Sequence, residues 1–493
     1  MNAECQENNT LLDFDRLLTA VSGLPLVPEG HSGATFTSVV TDSRKVVRGS
    51  LFVPLIGEFH DGHDYIPQAI KRGASIVFVA KEEYNRDHEL YKSFINKNGI
   101  SCIVVQNTLA ALQNAAAAYV DKFPRLIKVG ITGSSGKTTT KELAVSILAQ
   151  KYRVIYNEGN LNSETGLPLS VFRIRSDSQV GIFEMGMNRH DEIGEIAAVL
   201  RPQYAVITNI GTAHIGILGS RENIAAEKKK IFSYINASGA AIIPAADDFA
   251  DFLASGVQGR VIRYGPNEPE SGVAYVADKG FEGSLLKVDG EPVLLRLPGK
   301  YNYLNVLAAI ALARCLDVTG AEIRSGIRMM APLAGRGQIS HVRLPPESGS
   351  STVRTVTLFE DCYNANPDSL SKTLELCASV RNRKIYVLGD MLELGSVAVA
   401  AHAEAGVRAA ESEKNTGGML IFVGREMKTA AESAAKAGAD RILYFPGCDD
   451  ASIEKVVQSI LDFTRDGDFI LLKGSRGIGL ERISGIIKGG SCG

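Results

Sequence analysis

The chain has 493 residues, 45% of them hydrophobic and 22% charged, roughly three times the ~150 residues of an average domain, which excludes a single core and a disordered chain alike. Lys plus Arg number 53 against 55 Asp plus Glu, a net charge of -2, so no global basic field draws the protein to nucleic acid or an anionic membrane. Any phosphate must be held by a local site.

The opening residues, MNAECQENNTLLDFDRLLTAV, lack a basic start and a continuous apolar stretch, so they read as the beginning of a soluble domain and not as a signal peptide. Residues 1–108 carry strand-like runs, SLFVPLI from Ser50 and ASIVFVA from Ala74, with one clear helix pattern, YIPQAIKRGA; a small α/β domain is expected. The charge run KEEYNRDHEL (81–90) is expected to be a solvated helix face. From 109 to 332 the pattern becomes strand, turn and helix: LIKVGIT with KELAVSILAQ, then VGIFEM, YAVITNI and AAIIP. Apolar strands alternating with helices predict a parallel sheet covered on both faces. LNVLAAIALA from Leu304 is about half the ~20 residues needed to span a bilayer, so it is expected to be a buried helix. After LPPESGSST (344–352), expected as an exposed loop or hairpin, the third segment (333–493) repeats the pattern in TVTLFED, KIYVLGD, MLIFVG, RILYF and DFILLKG. The fold class is therefore α/β in three domains: a small N-terminal one, a central phosphate-loop parallel sheet, and a C-terminal Rossmann-like doubly wound sheet. The seven cysteines (5, 102, 315, 362, 377, 448, 492) are scattered and form no C-x-x-C, which fits free thiols in a reducing cytoplasm.

Ligands of open parallel sheets bind beyond the carboxyl ends of the strands. Polar residues gather there: Thr132–Thr138, Glu184, Asn209–His214, Asp361, Asp390 and Lys473–Arg476. The strongest signal is GITGSSGKTTT (130–140), which follows an apolar strand and opens a helix. Gly133 and Gly136 let the backbone N–H groups of the Ser134-Ser135 turn face an anion, Lys137 reaches outer phosphates, and the Thr138 hydroxyl, with Thr139 behind it, suits Mg²⁺. Ile131 stands where the usual phosphate-loop pattern has its first glycine. Glu184, at the end of VGIFE, faces the same edge and suits a second Mg²⁺; a strand-end glutamate serves equally well as a helix cap or ion-pair partner. His214 in TNIGTAHIG is open to a ligand role and to a structural one. Neither a nucleophile elbow nor a zinc-protease motif is found, so hydrolysis by the protein is disfavoured.

The altered loop TGSSGKTTT, together with DCYNANPDS (361–369), LGDMLELG (388–395) and KGSR followed by Glu481, resembles the Mur ligases, ATP-dependent amide-forming enzymes of peptidoglycan synthesis. The resemblance covers almost the whole chain and three domains in this order. It implies, for this branch of the family, a cytoplasmic ligase that joins D-alanyl-D-alanine to the peptide carboxylate of UDP-N-acetylmuramoyl-tripeptide through an acyl phosphate. It further implies ATP, two Mg²⁺ ions and a monomer. Lys137, Lys228, His214 and Glu184 would be catalytic, with Thr138, Glu184, His214 and Lys228 around the metals. In RENIAAEKKKIF the family pattern selects Lys228 for carbamylation by CO₂, while Lys229 and Lys230 are expected to be solvated. At its reference pKa of ~10.4 a lysine is neutral in only about one molecule in a thousand near pH 7.4, so Lys228 must be buried for the reaction to occur.

By the same resemblance LPGKYNYLNVLAA (297–309) places Asn302 and Asn305 at adenine, with Tyr301 where the family has His. Arg336 and Asp361 would reach phosphate and ribose once the third domain closes. Tyr363, Asn364, Asn366 and Ser369 would touch nucleotide and dipeptide, with a cap before Pro367 as the other use of the two asparagines. Lys473, Ser475 and Arg476 would orient the substrate peptide, and NLNSETGLP (160–168) points to Asn162, Glu164 and Thr165 for the muramoyl peptide. TDSRKVVRGSLFVPLIGEFHDGHDYI (41–66) resembles the UDP-binding module, through Ser43, Arg44, Gly57 and the turn Asp61-Gly62-His63, which alone is also a plain surface turn. The other readings are a different ligase of the superfamily, adding the third residue or glutamylating folate, and a non-catalytic nucleotide-binding regulator.

Overall fold

The computed structural model describes residues 10–29, 33–268, 272–345 and 353–489. Runs of β-branched and apolar residues between glycine and asparagine turns form three main sheets. The first contains β1 (Leu24–Leu26), β2 (Ser38–Val40), β3 (Ser50–Phe52), β4 (Ala74–Ala80) and β5 (Ser101–Val105), in the order β1-β5-β4-β3-β2 with only β1 antiparallel. The central sheet contains β6 (Ile127–Thr132), β7 (Val154–Tyr156), β8 (Val180–Glu184), β9 (Tyr204–Ile207), β10 (Ala240–Pro244) and β11 (Arg260–Tyr264). All its pairs are parallel and its order is β11-β10-β9-β6-β8-β7. The chain therefore changes direction across β6, and the crevice at that reversal is where an open α/β sheet binds its ligand.

A small antiparallel sheet of β12 (Val273–Asp278), β13 (Ser284–Val288) and β14 (Glu291–Leu295) follows. The strand-helix pattern does not announce it. The third main sheet contains β15 (Gln338–Leu344), β16 (Arg354–Glu360), β17 (Lys384–Gly389), β18 (Met419–Val423), β19 (Ile442–Phe445) and β20 (Phe469–Lys473), ordered β15-β16-β20-β17-β18-β19 with β15 antiparallel. The expected loop 344–352 falls largely outside the described residues; β15 and β16 on either side of it pair antiparallel.

The helix Thr108–Val120 packs into one apolar core with Phe14, Leu17 and Val21 on one side and Leu167, Val171, Ile193 and Ile196 on the other, so the first and central sheets share a core. The opposite face of the central sheet is covered by Lys137–Leu148 and Asn302–Cys315, the latter buried as expected along Val306–Ile310. The run 81–90 lies in the helices Lys81–Arg86 and His88–Asn98, whose charged residues are mostly exposed. Cys102, Cys315, Cys362, Cys377 and Cys448 are free, and no helix among the described residues is long and apolar enough to cross a membrane.

Helix Ala398–Glu413 touches Met427–Lys436 backbone to backbone at Gly406, where a Cβ would lie 2.0 Å from the Ala430 carbonyl oxygen. Helix propensity favours alanine over glycine by about 1 kcal/mol, but the contact is with backbone and cannot yield locally. Gly406→Ala is expected to lose about 1–3 kcal/mol in denaturant unfolding; a gain in stability would show that the two helices separate freely.

Candidate active site

A cleft of about 580 Å³ opens at the reversal point, between the carboxyl ends of the central strands and the facing edge of the third sheet. Its floor is the loop after β6. Gly133 has φ 152° and Gly136 φ 78°, and a Cβ would meet Thr208 Oγ1 at 1.8 Å in the first case and Asn305 Oδ1 at 2.4 Å in the second. Only glycine fits either place. The chain after β9 holds the loop from behind: Thr208 Oγ1 donates to Ser135 O (2.6 Å), Asn209 Oδ1 accepts from Ser135 N (2.9 Å), and Gly211 N donates to Ser134 Oγ (2.9 Å). Sequence reasoning placed Asn209 near the strand end and missed this support and Thr208, since both depend on β9 lying next to β6.

Lys137 Nζ donates to Gly133 O (2.8 Å). Desolvation pushes this ammonium below the usual lysine range, Glu184 opposes the shift, and the Arg336 guanidinium adds to it. Arg336 comes from the segment before β15, so the two cations share the cleft. Glu184 is 3% exposed; Thr138 Oγ1 donates to its Oε2 (2.6 Å) and Asn162 Nδ2 to its Oε1 (2.7 Å). Hydroxyl and carboxylate oxygens at one buried point are the donor set of a hard cation that takes its remaining ligands from phosphate or water. Among the described residues no three His, Cys, Asp or Glu side chains gather as a metal site, so an all-protein cage is not what this cleft offers. Mg²⁺ fits Thr138 and Glu184.

His214, in a left-handed turn (φ 64°), also lines the cleft. Its Nδ1 is 2.7 Å from Glu393 Oε2, off the direction a hydrogen bond requires, and it holds the Glu393 carboxyl below its ordinary range. Lys228 stands apart from the lining residues. It is 1% exposed, and burial, then the Lys137 ammonium, push its pKa well below that of an ordinary lysine against the pull of Glu227. The expectation that Lys229 and Lys230 are simply solvated is corrected. Lys229 Nζ donates to Phe252 O (2.6 Å), and Lys230 Nζ pairs with Glu227 (2.6 Å) and Asp191.

On the facing wall Lys473 Nζ and Thr373 Oγ1 both donate to Asp361 Oδ2, at 2.6 and 2.8 Å. The Arg336 guanidinium stacks on the Tyr363 ring at 3.8 Å, and that of Arg476 lies 5.5 Å from the same ring. Asn364 lines the cleft, and its Oδ1 accepts from Ala365 N (2.9 Å). Asn366 and Ser369 line it too, yet they form a capping box on helix Pro367–Ala378, which takes up the Asn366 acceptor. The structural use of Asn366 is the one realised. Ser475 Oγ accepts from Leu392 N (3.0 Å) and so joins the two loops of that wall. Asn302 Nδ2 donates to Pro298 O and Asn302 Oδ1 accepts from Asn305 Nδ2, both at 2.8 Å, beside Tyr301, whose hydroxyl burial pushes upward.

The candidates for the muramoyl peptide other than Asn162, and those for UDP, lie outside this cleft. Glu164 turns to Arg189, which also binds Glu195, and Thr165 precedes helix Gly166–Val171. None of the first-sheet candidates lines it. Both ring nitrogens of His63 have partners: its Nδ1 faces Asp61 Oδ1 (2.6 Å) and its Nε2 accepts from Ala80 N (3.0 Å). Ser43 Oγ donates to Gln68 Oε1 (2.7 Å), and Gly62 packs where a Cβ would lie 2.6 Å from Leu55 N. Gly57 closes a turn onto His60 O, whereas Arg44, paired with Asp42, stays exposed.

Three family models match the chain: the Mur ligase family catalytic domain over 35–120, the Mur ligase middle domain over 131–313, and the Mur ligase glutamate ligase domain over 349–476. A UDP-N-acetylmuramoyl-tripeptide–D-alanyl-D-alanine ligase of Treponema pallidum is 40% identical, covering 97% of this chain and 99% of that protein. The enzyme of the same name from Bacillus subtilis is 31% identical over 90% and 92%. A solved structure, MurF from Acinetobacter baumannii, superposes with a TM-score of 0.79 at 26% identity, covering 96% and 98% of the two chains. MurF ligase from Thermotoga maritima in complex with ADP, at 24% identity and a TM-score of 0.72 over 92% and 97%, shares the fold.

The two walls meet backbone to backbone at Gly216 and Gly395, where a Cβ on Gly216 would lie 2.5 Å from Gly395 N and 2.8 Å from Glu393 O. Gly216→Val is expected to hold the walls apart, lowering turnover at least about tenfold through misplacement of the facing cations while the thermal midpoint stays near that of the wild type. Small-angle scattering should report a larger radius for the variant; an unchanged radius with unchanged turnover would refute this account of the contact.

Proposed function

The chain belongs to the Mur ligase family, and from that premise we propose that it joins D-alanyl-D-alanine to the peptide carboxylate of UDP-N-acetylmuramoyl-tripeptide at the expense of ATP, in peptidoglycan precursor synthesis. Supporting this is a relative of that activity matched almost end to end at 40% identity, together with a cleft that sets Lys137, Thr138 and Glu184 opposite Arg336 and Lys473. The likeness to folylpolyglutamate synthase from Mycobacterium tuberculosis, 15% identical with a TM-score of 0.57, is one of fold alone.

The chemistry follows from the substrates. A carboxylate has no leaving group that an amine can expel, so the γ-phosphoryl group of ATP is first transferred to a carboxylate oxygen, releasing ADP. The dipeptide amine then attacks the acyl carbon, the tetrahedral adduct expels phosphate, and one proton leaves the amine. The carboxylate and the triphosphate repel each other, so the protein's task is neutralisation and placement. Lys137 and Arg336 supply positive charge from opposite walls, and the loop N–H groups of 134–136 cradle phosphate. Mg²⁺ held by Thr138 and Glu184, with His214 beside a second ion, would supply further neutralisation of the phosphate oxygens. We assign Asn162, Tyr363, Asn364, Lys473 and Arg476, which line the cleft, to peptide and nucleotide, and Asn302 and Asn305 to adenine. Closure of the walls keeps water from the acyl phosphate.

In this reading residues 1–108 bind the UDP-muramoyl end through Arg44 and the exposed turn around Gly57, 109–332 bind ATP, and 333–493 close the cleft. A monomer is the state we assign with this reading, and the ATP and nucleotide-linked precursor suit the cytoplasm. Lys228 is the residue for carbamylation: burial favours its neutral amine, whose nitrogen adds to CO₂ with loss of one proton, and the neighbouring Lys137 ammonium attracts the resulting anion.

Phosphate release should require ATP, UDP-muramoyl-tripeptide and D-alanyl-D-alanine together; turnover with folate and glutamate, or with a free diamino acid, would overturn the assignment. Lys228→Ala should lose most activity and regain part of it with short carboxylic acids, whereas full activity without them would exclude the carbamate. The buried amine also makes a stability prediction. Because the folded state lowers the Lys228 pKa, the unfolded chain binds that proton more tightly, so wild-type stability rises with pH up to the unfolded value of ~10.4. In CO₂-depleted buffer Lys228→Met should melt about 2–4 °C higher than the wild type near pH 7, with the gap narrowing toward pH 10.

A further inference from the structure

The Mg²⁺-binding carboxylate of the proposed site has a backbone that is itself held by a side chain. Strand β7 pairs with β8 only as far as Tyr156↔Ile182, two residues short of Glu184. Beyond that point the Asn157 side chain takes over the edge. Its Oδ1 accepts from Glu184 N (2.8 Å), and its Nδ2 donates to Glu184 O (2.9 Å) and to Leu161 O (2.7 Å). One N–H and two carbonyls can be served only by this orientation of the amide, so its two ends are unambiguous. Asn157 is 2% exposed, and its own carbonyl accepts from Nζ of Lys141, 1% exposed, at 2.6 Å.

The third bond gives the arrangement its meaning. Leu161 precedes Asn162, whose Nδ2 binds Glu184 Oε1, and Gly186 N donates to Asn162 O (2.8 Å). One buried amide therefore fixes the backbone at both ends of the Asn162–Glu184 contact, and with it the direction in which Glu184 Oε2 meets Thr138. An extra strand residue would complete the ladder but leave the loop 158–163 free. We propose that Asn157 is a positioning residue that aims the Glu184 carboxylate at Mg²⁺ by locking its backbone to the Asn162 loop. This rests on the reading of Glu184 as a metal ligand, and the test separates the two.

The test titrates the full-length protein with ADP in EDTA and with Mn²⁺–ADP, following bound Mn²⁺ by electron paramagnetic resonance, for wild type, Asn157→Ala and Glu184→Gln. Loss of an outer partner of a metal ligand typically weakens metal binding by about 10–100-fold. Asn157→Ala is therefore expected to weaken Mn²⁺–ADP by that factor while metal-free ADP binds as in the wild type. Wild-type Mn²⁺–ADP affinity in Glu184→Gln would remove the metal-site reading. A loss in Glu184→Gln but none in Asn157→Ala would overturn the positioning role alone, as would an equal loss with and without metal. Where Asn157→Ala does not fold, Asn157→Asp, which retains an acceptor for Glu184 N–H and loses both donors, carries the same comparison. Failure of both to fold would assign the amide to fold stability and overturn the proposal.

Discussion

A carboxylate buried at the end of a central strand is the constraint around which this molecule is arranged. Glu184 is almost fully removed from water, and an ionised group in that position is tolerable only if its oxygens meet donors. The two it meets are neutral, a hydroxyl from the helix after β6 and an amide from the loop after β7. Neutral donors hold the carboxylate without cancelling its charge, so it remains available to a cation. A lysine or arginine in either place would have made a satisfied ion pair and closed the site to metal.

Besides Lys137 on the phosphate loop, two further cations reach the cleft from elements outside the central sheet. Arg336 stacks on Tyr363, and Lys473 is paired with Asp361. Each is thereby oriented before any phosphate arrives, and long side chains lose less freedom on binding when already held. The approach is permitted at Gly216 and Gly395, where two backbones touch, and braced at a distance by Phe281, which packs edge-on to Phe359 at 5.1 Å. The small antiparallel sheet that carries Phe281 thus has a purpose, as the central segment's pillar under the third sheet. A near-neutral chain can handle two polyanions because its positive charge is gathered locally on both walls of this cleft.

Lys228 shows the cost of such a site. A buried amine next to the Lys137 ammonium stabilises nothing in its neutral form and opposes folding in its charged form. The neighbourhood is otherwise well paired, since Glu227 accepts from Asp191 N and Ile193 N.

The local grammar was legible in the residues themselves. Apolar runs bounded by glycine located the main strands, GKT before a helix located the phosphate loop, and strand-end polar residues located the cleft, because backbone conformation and side-chain periodicity are set by near neighbours. The small sheet of 273–295 escaped because burial alternates along VAYVAD while its residue types, nearly all apolar, do not, and because SLLKV and EPVLL are short. Pairings between distant side chains escaped for a deeper reason. Ser43, Glu164, His63 and Asn366 carry the right chemistry for ligand contact, yet a glutamine, an arginine, a strand amide and a helix N-terminus claim them first. Asn157 and Asn209 look like ordinary turn residues until strand order sets them beside Glu184 and Ser135. Which polar groups exist, and on which kind of element, follows from the sequence. Which of them remain free for a ligand was decided only by the tertiary structure, because a hydrogen-bonding atom has few partners to give and packing assigns them.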